Sequence, residues 1–539
     1  MVSHVTLRAE SVPGGERNEM YSSVMSGTIF GIQGMVIQVE ADMSEGLPGV
    51  HLVGSLSREV QESGERIRTA LRNSGFYLPP KRIVISLSPA DVRKTGSGFD
   101  LPIAIAALIS MNQILQEQVA DTLFLGELGL NGDVLPVDGV LPVADAAYAA
   151  GCSRIVVPVA NRAEAALIPG LAVVGIRSLQ EGIAWLQSGK AYPETGASAE
   201  TVRESGAEVA QSVSADWNFR NLKGQPMVRR AMEIAACGMH NLIMTGPPGA
   251  GKTMAAKCLT GILPELSYEE SMEITKIYSV RGLLPTENGL IRRRPFRAPH
   301  HTITTSALIG GGLVPKPGEI SLAHNGVLFL DELPEFSRTA IEVLRQPLED
   351  GRVIIGRLNN TYQFPARFML VAAMNPCPCG CYPDRSRCRC TPGQIQNYQG
   401  RISRAILDRM DLCLSIRPVS YDEMTDRGQW EASEVIRERV QSIHALQRER
   451  YRNSNTRFNS QLTQEELRQY CCLGAEEEAF MKQVYEQQKL SGRGYNRLLK
   501  LARTIADMEG SEQIRLRHLE EAVVYRMVDA VQMGGNGYV

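Results

Sequence analysis

The sequence predicts an α/β protein, and three observations predict it. Short apolar runs of strand length alternate with helix-length stretches in two separate regions. A Gly-, Ser-, Ala-, Glu- and Thr-rich stretch with almost no large apolar residues, 188–215, lies between them and reads as a linker. After about Pro418 the chain turns charged and proline-poor, with apolar residues at i, i+3 and i+4, which reads as helix.

In the first region, 20–187, Ile83-Val-Ile-Ser-Leu87 and Ile155-Val-Val-Pro158 read as buried strands, and 101–110 and 143–150 as helices. The second region, 216–418, contains the strands Leu242-Ile-Met-Thr245, Gly326-Val-Leu-Phe-Leu330 and Phe368-Met-Leu-Val-Ala-Ala-Met374. Residues 419–539 are the helical segment. Residues 1–19 carry scattered charges without an apolar core and read as a disordered extension rather than a signal peptide, with Met20 and Met25 as alternative starts.

Bulk properties narrow the function classes. The chain has 539 residues, 43% hydrophobic and 22% charged, the composition of a soluble protein of several domains. The longest apolar run, Leu101 to Met111, carries a proline and falls short of the ~20 residues a membrane span needs. A cytoplasmic protein with no membrane partner is expected. A net charge of −2 gives no general pull on DNA, so any nucleic-acid contact must be local.

Between the strand at 242–245 and a helix read at 254–263 lie Gly246, Pro247, Pro248, Gly249, Ala250, Gly251, Lys252 and Thr253. Strand, glycine-rich turn and helix make a phosphate cradle from backbone N–H groups and a helix N-terminus. Lys252 would reach the β/γ-phosphates of ATP and Thr253 would ligate Mg²⁺. Asp331 and Glu332 end a buried strand. They fit a Mg²⁺-coordinating acid and the base that polarises the attacking water; the plainer alternative is a pair of carboxylates at a helix N-cap. Asn375, at another strand tip, is placed to orient that water. Arg409 and Arg497 are candidates to reach γ-phosphate, since guanidinium pairs phosphate oxygens bidentately; taken singly, each is a surface ion-pair partner.

Eleven cysteines include five between Cys377 and Cys390. In a reduced compartment such clustering favours a metal over disulfides, and four thiolates satisfy a tetrahedral structural Zn²⁺. Reduced loop thiols and a redox switch are the alternatives. The long interval from Lys252 to Asp331 leaves room for an inserted hairpin holding Arg281, Arg292, Arg293, Arg294, Arg297, His300 and His301. Gly351 to Arg357 is a second candidate hairpin. Both suit contact with a phosphate backbone, mainly electrostatic because aromatics are sparse; binding to subunit neighbours is the alternative.

The order phosphate loop, Asp-Glu, Asn, Arg and late Arg resembles the AAA+ ATPases. The strings Arg294-Pro-Phe-Arg-Ala-Pro-His-His-Thr302, Ala307-Leu-Ile-Gly-Gly-Gly312, Pro317 through Phe336, and Asn375-Pro-Cys-Pro-Cys-Gly380 resemble the magnesium-chelatase-like YifB/ComM family. That resemblance implies a P-loop AAA+ core with an α-helical lid and a hexameric ring. It implies a DNA branch-migration or DNA-remodelling helicase, with Asn375 as sensor 1, Arg409 as arginine finger and Arg497 as sensor 2. Relatives commonly read Ser-Gly-Pro where this chain has Ser403-Arg404-Ala405, which makes Arg404 a rival to Arg409. The family pattern matches Cys377, Cys379, Cys388 and Cys390 and leaves Cys381 spare.

Gly126 to Gly139 and Ile155 to Pro158 look like a Lon protease domain. By that likeness the catalytic serine position falls at Gly98 and the lysine position at Leu141, so no peptidase activity is expected; Ser97 would still lack a base. The competing functions are a DNA motor, a magnesium-chelatase-type ATPase subunit driving a partner enzyme, and a non-catalytic or peptidase-linked assembly factor; the intact Asp331-Glu332 pair argues against lost hydrolysis and Leu141 against proteolysis.

Overall fold

A computed structural model describes residues 21–188, 217–284, 289–357, 360–425 and 430–532. The extension expected at 1–19 and nearly all of the expected linker lie outside the described residues. The rest forms two compact units, each with its own core.

The first unit is built on β1 (Tyr21–Phe30), β2 (Gln33–Ser44), β3 (Gly49–Val53), β4 (Arg82–Ser88), β5 (Thr122–Phe124), β6 (Glu127–Leu128), β7 (Val134–Leu135), β8 (Arg154–Pro158) and β9 (Ala172–Ile176). Seven of these make one mixed sheet, in the order β3-β4-β2-β1-β5-β8-β9. The β1–β2 and β2–β4 pairs are antiparallel and the others parallel. The helix Asp100–Ser110 is buried along its whole length, as a helix apolar on every face between its ends must be. The helix Val140–Ala149 starts before the expected 143. Pro142 sits in its first turn, where a missing N–H costs nothing.

Asp100, at the head of its buried helix, is held by hydrogen bonds while burial pushes its pKa up. Its carboxylate takes two hydrogen bonds from Arg66, both 2.9 Å, and one from the Leu128 N–H.

The second unit carries β10 (Leu242–Thr245), β11 (Phe296–Arg297), β12 (Gly310–Gly311), β13 (Lys316–Pro317), β14 (Val327–Leu330), β15 (Arg352–Gly356), β16 (Thr361–Pro365), β17 (Met369–Met374) and β18 (Leu412–Ser415). Five of them form an all-parallel sheet in the order β11-β14-β17-β10-β18. β10, β14 and β17 are buried throughout, which is why they read as continuous apolar runs. Met244, Phe329 and Val371 from the sheet and Leu259 and Leu501 from helices share one core. The β12–β13 and β15–β16 hairpins stand apart as two-stranded ribbons. From Tyr421 the described chain is helical, including Ser433–Arg450, Gly492–Met508 and Leu516–Gln532.

Truncating Asp100 leaves Arg66 without its carboxylate partner beside the core. Because Arg66 is a quarter exposed, the cost should sit at the low end for a broken buried pair, about 3 kcal/mol. Urea unfolding of the full chain should show a lower midpoint for Asp100→Ala, with ATP affinity unchanged.

Candidate active site

β10, β17 and β14 run in register, with Thr245 opposite Met374 and Leu330 opposite Ala372. All three chains therefore leave the sheet at one edge, where open parallel sheets collect ligands. β10 runs into Gly246, β14 into Asp331 and Glu332, and β17 into Asn375.

Gly249 and Gly251 take φ angles of 77° and 88°, left-handed values that glycine adopts without strain. The turn they make lets the helix Lys252–Ile262 begin directly after the loop, with its N–H groups toward the cradle. Lys252 is buried. Its Nζ donates to the carbonyls of Gly246 (2.6 Å) and Pro247 (3.0 Å) and to Oδ1 of Asn375 (3.0 Å). Burial pulls its pKa down, and the carboxylates of Asp331 and Glu332 oppose that pull.

The Thr253 hydroxyl donates to Oδ2 of Asp331 at 2.7 Å. Neighbouring oxygens of an octahedral Mg²⁺ shell lie about 3.0 Å apart, so these two oxygens fit one edge of such a shell. Glu332 turns the chain out of β14 in a left-handed conformation, φ 52°. Its backbone N–H donates to Oδ1 of Asp331 at 2.9 Å, and Nδ1 of His301 lies 3.4 Å from its Oε2.

The two arginines go elsewhere. Arg409 is buried, donating to the Ala405 carbonyl and to Glu349; burial lowers its pKa and Glu349 opposes. Arg497, on the helix Gly492–Met508, donates to Asp411 and to the Arg409 carbonyl. Burial alone would push the Asp411 carboxyl up, but Arg497 and His240 hold it well below the usual range. Asp411 precedes β18, which starts level with Leu242. The arginine cluster thus lies at the amino edge of the sheet, about 16 Å along β10 from the phosphate loop of its own chain. Arg404, one turn before Arg409, is exposed.

Several basic residues expected on an inserted hairpin are not on one. Arg281 ends the helix Tyr268–Arg281. Arg294 is buried against Glu270 at 3.0 Å, and Arg297 pairs bidentately with Glu319. Among the described residues, the hairpin in the insertion is β12–β13, further along the chain. The expected hairpin at 351–357 is β15–β16. Arg357, at its exposed end, donates to the Gly312 carbonyl at 2.7 Å, tying the two hairpins together beside exposed Leu313.

Two contributors were not read from the sequence. Gln225 donates to the carbonyls of Ala250 (3.0 Å) and Arg417 (3.2 Å) and so braces the phosphate loop. In the sequence alone His301 is one member of a basic run. A lone Gln before a proline carries no signal, and the paired histidines could not be matched to a carboxylate far along the chain.

Asn375 leads directly into the cysteines. The thiol sulfurs of Cys377, Cys379, Cys388 and Cys390 all lie within 4.8 Å of one another. The pairs 377–379, 379–388 and 377–388 are 3.4, 3.6 and 3.8 Å apart. A tetrahedral Zn²⁺ with thiolates at about 2.3 Å spaces its sulfurs by about 3.8 Å, so the donor set fits zinc. Hydrogen bonds from the Cys381 backbone and the Cys377 thiol pull Cys379 down to about 6, whereas burial pushes Cys388 up to about 12. Gly380 packs against Pro248 so closely that a Cβ there would lie 2.4 Å from the proline ring; the cysteine loop rests on the phosphate loop.

In the first unit Leu141 is fully buried in its helix, and the Ser97 hydroxyl donates to Glu127.

The family descriptions "Magnesium chelatase, subunit ChlI", "Subunit ChlI of Mg-chelatase" and "Magnesium chelatase, subunit ChlI C-terminal" match residues 218–424, 39–161 and 430–526. Competence protein ComM of Haemophilus influenzae is 41% identical over 518 residues, covering 95% of this chain and 99% of its own. The chain belongs to the YifB/ComM family of magnesium-chelatase-like AAA+ ATPases. The uncharacterised protein YifB of Salmonella typhimurium is 40% identical over 93% of the chain and 96% of its own. Lon protease 2 of Bacillus subtilis is 27% identical over 201 residues, 32% of this chain and 35% of its own.

Elemental analysis of the purified protein should find about one zinc per chain. Cys388→Ser should lose it, and Cys381→Ser should keep it.

Proposed function

We propose that this member of the YifB/ComM family is an ATP-hydrolysing motor that acts on DNA as a ring, hexameric by family resemblance, and that it migrates branches or remodels DNA. The observation that carries the ATPase reading is the convergence of Lys252, Thr253, Asp331, Glu332 and Asn375 at one sheet edge. ATP would lie along Gly246–Thr253 with Mg²⁺ on Thr253 and Asp331. Glu332 would take the proton of the attacking water and Asn375 would orient it. Zinc in the cysteine cluster would hold the strand end that presents Asn375.

A shared site supports the ring. Arg409 and Arg497 sit at the sheet edge away from their own phosphate loop, so the phosphates they would serve belong to a neighbour. Arg409 has first to leave Glu349; exposed Arg404 does not. Residues 419–539 act as the lid in this reading. The first unit is a Lon-like scaffold without peptidase activity, since Gly98 and Leu141 stand where serine and lysine would be needed.

The DNA reading rests on the tied β12–β13 and β15–β16 hairpins, with Arg352 and Arg357 exposed, and on the likeness to a competence protein. The second reading, an ATPase subunit driving a metal-inserting partner, is favoured by the chelatase-subunit descriptions that match the ATPase region.

ATP turnover with and without branched DNA separates the two. A DNA motor should be stimulated by branched DNA at low salt, and stimulation should fade as salt rises. Stimulation should also fall in Arg352→Ala with Arg357→Ala. Turnover should drop about 100-fold in Glu332→Gln. No stimulation by any DNA at low salt would favour the chelatase-type reading.

A further inference from the structure

We infer that His301 is a positioning residue for hydrolysis: it holds the Glu332 carboxylate in its working orientation. The inference deepens the ATPase reading and rests on Glu332 being the base.

Four observations carry it. β11, at the edge of the sheet, pairs with β14 through Phe296 and Val327. The loop that follows β11 therefore runs alongside the chain that leaves β14, which brings residue 301 beside residue 332. Second, Glu332 is one of the few described non-glycine residues with positive φ. That conformation costs a β-carbon residue roughly 1–2 kcal/mol, and strain of this kind persists only where neighbouring structure enforces it. The turn that enforces it is closed by the Glu335 N–H donating to the Glu332 carbonyl at 2.8 Å.

Third, the imidazole of His301 is clamped. The His300 ring packs over it at 4.1 Å between centroids, and buried Phe336 meets it edge-on at 6.4 Å. His300 is itself fixed by Thr302, whose hydroxyl lies 2.9 Å from Nδ1. Fourth, Nδ1 of the clamped ring lies 3.4 Å from Oε2 of Glu332. Glu332 is more than half exposed, and its side chain has long rotamer freedom. A carboxylate that must meet one water in one direction needs a fixed neighbour, because small misplacements are costly.

The placement explains the paired histidines. His300 supplies a stacking face and His301 supplies the nitrogen. It also sets the substitutions that separate packing from positioning. His301→Phe keeps the stack and removes the nitrogen. His301→Asn places an amide nitrogen near the site of Nδ1 and removes the ring.

The test measures steady-state ATP turnover and fluorescent ATP-analogue affinity for His301→Phe, His301→Asn, Glu332→Gln, and His301→Phe combined with Glu332→Gln. His301→Phe should lose about tenfold in kcat while nucleotide affinity stays within about twofold. His301→Asn should recover a large part of that loss. On the Glu332→Gln background, His301→Phe should change nothing further, because coupled residues are not additive. The inference is overturned if His301→Phe turns over at the parent rate while Glu332→Gln is inactive; the ATPase reading then stands. It is overturned together with that reading if Glu332→Gln keeps the parent rate or the parent itself hydrolyses no ATP. An equal fall in affinity and kcat, unrelieved by asparagine, would mean that His301 only supports the fold.

Discussion

The second unit depends on the in-register parallel pairing of β10, β17 and β14. Those strands hold two hydrogen-bonding neighbours each within a buried sheet, so their ends cannot slide independently. Because Thr245 is level with Met374 and Leu330 with Ala372, the phosphate loop, the Asp331–Glu332 pair and Asn375 emerge side by side. The 2.7 Å contact between Thr253 and Asp331 joins residues 78 apart in sequence, and the register is what makes it. A slip of one residue would turn every side chain of a strand to its other face.

The same sheet has a second edge, and it is used differently. At the amino ends of β10 and β18, Asp411 collects Arg497, His240 and the Asn241 N–H in a buried cluster. This arrangement fastens the helix Gly492–Met508 to the sheet. One set of arginines thus carries structure within the chain and, in the proposed ring, faces a neighbour's nucleotide.

Much of this was legible in the sequence, for a physical reason. The phosphate loop, Asp331–Glu332 and Asn375 each follow a buried strand directly, so local pattern finds them; the strands were read at 242–245, 326–330 and 368–374 against observed β10, β14 and β17. The four cysteines are likewise close in sequence and close in space. What local pattern could not supply was partnership over distance. Arg294 and Arg297 look like free cations until Glu270 and Glu319 are seen beside them. Arg409 looks like an accessible finger until the fold places Glu349 against it. The Gln225 brace and the His301 contact depend on which loops the sheet order makes neighbours. One helix start shifts for a local reason: the helix read from 143 begins at Val140, with Pro142 inside the first turn that apolar periodicity places too late.

The central claim is that the edge formed by Gly246–Thr253 and Asp331 binds ATP with Mg²⁺. An equilibrium titration of the full chain with a fluorescent ATP analogue, with and without Mg²⁺, in parent and Lys252→Ala protein, tests it directly. The account predicts saturable, Mg²⁺-enhanced binding by the parent and a loss of at least about tenfold, or about 1.4 kcal/mol, in Lys252→Ala. Equal affinity in the two proteins would contradict it.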